Sequence, residues 1–119
     1  MSTLNVQNIT DGTNTTSAAK VVNGSASAWA AIKPNNGVVK SYGVSSYTDD
    51  GVGLPQFNFT SAFPDNNYCA VASCTNAPTI TNDMSAVVDS NNTSNCRVVT
   101  TNGSTFRDTE WVYLAVFNT

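Results

Sequence analysis

The chain has 119 residues, a net charge of −3 and no histidine, and charged side chains make up only 11% of it. That share is less than half the usual one, so neutral Asn, Thr and Ser must cover the surface. The five cations (Lys20, Lys33, Lys40, Arg97 and Arg107) are scattered, which argues against binding to nucleic acid or to an anionic membrane surface.

The length suits one domain with a tail. Low charge combined with 40% hydrophobic residues differs from the signature of disorder, which needs high net charge. It suits a protein held in a larger assembly. No apolar run approaches the roughly 20 residues of a spanning helix. The opening MSTLNVQNIT lacks the basic region and apolar core of a secretory signal, so assembly in a cytoplasm is expected.

Residues 1–25 are expected to form an extended arm, and residues 26–119 a β-sandwich domain. In the arm, TLNVQNI alternates apolar and polar residues and reads as one strand. DGTNTTSAAKVVNGSAS is polar and lacks any aromatic, so it cannot bury enough surface to order itself. If it is ordered, a neighbouring subunit or a larger particle holds it, or it wraps its own domain. Its apolar residues Leu4, Val6, Ile9, Val21 and Val22 are the candidate anchors.

Ala26–Ile32 is the first core strand, running into Pro34-Asn35-Asn36-Gly37, where Asn36-Gly37 is a strong hairpin signal. Val38–Thr48 reads as one long strand, with Gly43 marking a bulge or a close backbone approach. Asp49–Gly53 makes the next turn. Gln56–Phe63 alternates, with Phe57 and Phe59 on one face. Pro64–Asn67 turns the chain. Tyr68–Cys74 carries apolar residues on both faces and is expected to be a central strand, broken at Asn76-Ala77-Pro78. Met84–Asp89 and Cys96–Thr101 follow, and Trp111–Asn118 closes the chain. In that last strand Trp111, Tyr113, Ala115 and Phe117 share one face and Val112, Leu114 and Val116 the other. Strands at this spacing predict an all-β fold, an antiparallel sandwich of about seven or eight strands.

The pieces TLNVQNITDGTNTTSAAKVVNGSASAW, YGVSSYTDDGVGLPQFNFTSAFPDNNYCAVAS and WVYLAVFN follow an order that resembles a small β-rich domain of tailed-phage fibre and decoration proteins, especially from phages of aquatic bacteria such as cyanophages. The resemblance covers nearly the whole chain. It implies a virion component, a homotrimer with an anchoring arm and a β-rich outer module. The chain starts at Met1 with no shaft. That favours a compact capsid decoration or cement protein, or a short head fibre, over a long tail fibre. The partners expected are further copies of the chain and the major capsid protein or another virion protein. A receptor-binding tail-fibre tip that grips host surface glycans is the alternative.

A two-sided closing strand is buried either within a sandwich or between subunits, so Trp111, Tyr113 and Phe117 are candidate interface residues. Among aromatics that could form a glycan platform (Tyr42, Tyr47, Trp29 and Phe106), Phe106 and Tyr47 are the candidate host-contact loop. No cofactor or metal is expected, and a glycan-degrading enzyme is the least expected reading, because it needs paired carboxylates facing one cleft and the sequence offers no such pair. The acids fall in turns, where Asp bonds the local backbone. A catalytic Ser or Cys has no histidine to activate it. Calcium at Asp49-Asp50-Gly51 would need six to eight ligands. Cys69, Cys74 and Cys96 are odd in number; they read as buried small apolar side chains, or as a Cys74–Cys96 bridge with one left over.

Overall fold

The computed structural model describes residues 2–75 and 84–118. The expected break at Asn76-Ala77-Pro78 lies outside the described residues, as does Asp83. The elements in chain order are β1 (Asn8–Thr10), β2 (Thr15–Ser17), α1 (Ala18–Gly24), β3 (Ala28–Lys33), β4 (Gly37–Tyr42), β5 (Val44–Asp49), β6 (Pro55–Phe59), β7 (Cys69–Thr75), β8 (Met84–Asn91), β9 (Asn95–Asn102) and β10 (Trp111–Phe117).

Period-two alternation decides which residues go inside. β10 buries Val112, Leu114 and Val116, β3 buries Ala28, Ala30 and Ile32, and β9 buries Cys96, Val98 and Thr100. These strands lie in two antiparallel four-stranded sheets, ordered β4-β3-β10-β7 and β5-β6-β9-β8. Their inner faces meet over one core with Phe57 at its centre, fully buried. The fold is therefore an all-β sandwich of eight strands. Each large side chain buried there contributes about 1.5–3 kcal/mol.

Four expectations need correction. The stretch Val38–Thr48 is two strands in different sheets, with Gly43 as the corner between them. Gly43 has φ +71°, and a Cβ there would lie 2.9 Å from the Ser27 carbonyl oxygen. It is a close approach in the left-handed region, where glycine alone is unstrained. The strand at Gln56 ends at Phe59, because the Thr60 amide turns to the Gly43 carbonyl and that of Phe63 to Thr93. β7 is an edge strand, not a central one. Its outward Val71 stays 56% exposed, so the apolar residues on that side are uncovered by the chain itself.

The fourth correction concerns the arm, which is not a single extended strand. β1 and β2 pair as a hairpin. The Asp11 carboxylate closes its turn by accepting from the Thr13 and Asn14 amides at 2.9 and 2.7 Å. Those bonds favour the ionised form and lower its pKa. Ser17 then caps α1, its Oγ accepting from the Lys20 amide at 3.2 Å. Short helix-forming Ala18-Ala19-Lys20 after that cap explains the helix.

The hairpin and helix pack mainly on one another rather than on the sandwich. The molecule is accordingly long, 48 × 31 × 23 Å, with a radius of gyration of 16.8 Å. A compact chain of this length has about 13–14 Å.

The sandwich has two distinct ends. β3 begins beside the end of β10, since Ala28 pairs with Val116. The arm and the C-terminus therefore leave from the same end, which also holds Gly43 and the Phe63 turn. The turns 34–36 and 50–54 and the loop 103–110 lie at the other end.

Candidate functional site

The arm carries the first set of predicted residues. Its first fifteen described positions are almost wholly solvent-facing, and Leu4 is 85% exposed. Val6, Ile9, Val21 and Val22 are also exposed. None belongs to the core cluster. The five therefore form no part of the sandwich interior, and the reading in which the arm wraps its own domain has no core contact behind it.

The second set stands on the outer face of sheet β4-β3-β10-β7. Trp111, Tyr113 and Phe117 project there from β10, each half-buried. Residues paired in an antiparallel ladder share a face, so the register adds their neighbours. Tyr42, Trp29, Ala115 and Val71 form one row across all four strands. Lys40, Ala31, Tyr113 and Ser73 form the next. The rings of Trp111 and Tyr113 are stacked, 6.0 Å apart and 5° from parallel. Lys33 Nζ lies 4.6 Å from the centre of the Trp111 ring and 3.8 Å from the Glu110 carboxylate. This cation–π contact ties Lys33 to the indole. The result is an aromatic surface with Tyr42 62% and Trp29 40% exposed.

The candidate host-contact residues divide. Phe106 is 54% exposed at the end opposite the arm, on a well-tied loop. Gly53 donates to Asp108 Oδ1 at 2.8 Å, the Thr100 amide donates to the Gly53 carbonyl, and the Arg107 amide donates to that of Thr100. Tyr47 instead faces inward beside Phe57 and packs on the core. Its hydroxyl donates to the Pro34 carbonyl at 3.0 Å. Burial, then the nearby Asp49, Asp108 and Asp50 carboxylates, push its pKa up to about 12. It anchors the end of the sandwich rather than presenting a ring to a ligand.

The acids are occupied with structure. Asp49 and Asp65 accept from the backbone amides of Gly51 and Asn67. Asp50 and Asp89 flank Arg97, and Glu110 pairs with Lys33. Among the described residues no group of three His, Cys, Asp or Glu stands together as metal ligands would.

The three cysteines are free thiols. Cys96 is buried, with burial pushing its pKa up to about 11, and Cys74 is half-buried with its pKa raised by the same cause. Cys69 is exposed on the aromatic face beside Phe117, so the expectation of three buried side chains fails for it. An odd separation along β7 sends Cys69 and Cys74 to opposite faces.

Sequence reasoning found Trp29, Tyr42 and the closing strand separately but missed that they form one surface with Val71. The alternation of β3 and β10 was visible; their register was not.

No protein-family model, curated protein or solved structure matches the chain.

Proposed function

We propose that the chain is a structural protein of a bacteriophage virion, a trimeric capsid decoration or cement protein or a short head fibre, attached through its N-terminal arm. Its partners are other copies of itself and the major capsid protein or another virion protein. The observation that supports this reading is the arm. A seven-residue helix and a hairpin of three-residue strands are each below the size at which such elements hold alone. Their apolar side chains face solvent. Such an element gains its order by burial against a neighbouring body.

A second reading, a tail-fibre tip gripping host glycans, draws on Phe106. That ring stands at the end opposite the arm, on a loop fixed by backbone bonds.

Both readings are tested on purified virions with an antibody against the chain. Label on heads supports decoration, label on tail tips supports the second reading, and no label on any particle overturns both. The arm is tested by adding purified chain to particles stripped of it. Full-length chain is expected to sediment with them, and a chain carrying Leu4→Asp, Ile9→Asp and Val22→Asp is not. Equal binding of the two removes the arm from the mechanism.

A further inference from the structure

Among the described residues, two groups of exposed apolar side chains lie on different parts of the chain. One is the arm, with Leu4, Ile9 and Val22; the other is the aromatic face, with Tyr42, Trp29 and Val71. We propose that the arm of one copy docks on the aromatic face of the next copy, so that like subunits close into a ring. This rests on the reading of the arm as a docking element and names its first partner.

Surface area is the first argument. The chain exposes 7527 Å². A compact monomer of its 12.5 kDa mass exposes about 6,200 Å². The excess, roughly 1,300 Å², falls in the range of about 1,200–2,000 Å² that a stable interface buries.

The second argument is economy of contact. A symmetrical face-to-face dimer would cover the aromatic surface and leave the arm bare. A head-to-tail contact covers both patches at once, and such contacts close into rings when the rotation permits.

Charge is compatible with this contact. The arm's charges, Asp11 and Lys20, cancel, so it brings no cationic excess to a face that carries Lys33 and Lys40. The opposite outer face offers the arm mostly polar side chains, with Val87 exposed among them. There the Asn58 amide donates to Ser46 and Thr48, Ser85 bonds Thr101, and Arg97 donates to Asp89. These polar side chains already satisfy one another.

The test uses three full-length chains: wild type, an arm variant (Ile9→Asp with Val22→Asp) and a face variant (Trp29→Ser with Tyr42→Ser). All four positions are exposed, and circular dichroism checks that each chain folds. Light scattering after size exclusion is expected to give a closed ring for wild type, three copies if it matches the trimer proposed above. Each variant alone is expected to be monomeric, with self-association weakened at least about tenfold. The decisive sample is the equimolar mixture of the two variants. One has an intact face and the other an intact arm, so they are expected to form a one-to-one heterodimer.

A monomeric wild type overturns the proposal, as does a mixture that stays monomeric. An arm variant that still forms rings but no longer joins particles also overturns it, and leaves the arm's virion role standing. An arm variant that does both overturns the two together.

Discussion

The two outer faces of the sandwich rest on the same core yet are built on opposite principles. The face of β5-β6-β9-β8 carries a polar network in which Gln56 donates to Asn58 along β6 and Asn58 donates to Ser46 and Thr48 on β5, with Val87 exposed beyond it. The face of β4-β3-β10-β7 is aromatic, and among the described residues its ionic contact is Lys33 with Glu110 at its rim. Hydrogen bonds made within a face leave its polar groups less to gain from a partner. Uncovered rings retain free energy that is released only on contact, at about 25 cal/mol per Å². The difference between the faces is thus one of chemistry, one side largely hydrogen-bonded within itself and the other aromatic and uncovered by the chain itself.

That division can be broken from beneath. Phe57→Ala opens a cavity under both sheets, and it is expected to cost about 3–5 kcal/mol in urea unfolding. An unchanged midpoint would show that the faces do not share a core. Gly43→Ala strikes the corner joining the sheets. It forces a positive φ and a contact with the Ser27 carbonyl oxygen, and about 2 kcal/mol is expected to be lost.

The faces separate at the next level down. Asn58→Ala removes the hub of the polar network, and a loss of about 1 kcal/mol is expected with no change in oligomeric mass. Trp29→Ser is expected to do the reverse, shifting monomer stability by no more than about 0.5 kcal/mol while weakening self-association. If both substitutions move the same observable, the contrast between the faces is wrong.

The smallest effect is a pH dependence that touches neither face. Tyr47 and Cys96 have folded pKa values raised to about 12 and about 11, from 10.0 and 9.0. A raised pKa means that the folded state holds its proton more tightly. Their contribution is full below the unfolded value and lost as pH climbs through the folded one. The urea midpoint is expected to fall from about pH 9 upward. Tyr47→Phe is expected to shrink the fall between pH 10.0 and about 12, leaving the shares of Cys96 and of Tyr68, whose pKa burial also raises. An identical profile in that variant would sink the assignment.

How much of this was legible in the sequence follows from the range of each signal. Alternation in Trp111–Phe117 and Gln56–Phe59 is local, so the inward and outward residues of β10 and β6 could be read directly. The Asn36-Gly37 hairpin was equally plain, and Gly37 does adopt a φ of +88°. The order of strands in a sheet is not local. β7 has small apolar residues on both sides and looked central, but its place is set by pairing with β10, a partner some forty residues away. The Gly43 corner was flagged as unusual without its meaning being clear, because a glycine forced by a bulge and one forced by a passing carbonyl look alike in sequence. The helix in the arm was missed for a different reason. Seven residues are too few to show a period, and the Ser17 cap stands in a Thr- and Ser-rich stretch where any residue could serve.

Because β3 and β10 run side by side in opposite directions, the arm joins the sandwich at the end where β10 finishes. The protein thus has a built-in near side and far side. A peptide grafted at that end would share it with the arm. One spliced between Asn35 and Asn36 would stand clear at the distal tip, which makes that turn the natural position for displaying cargo.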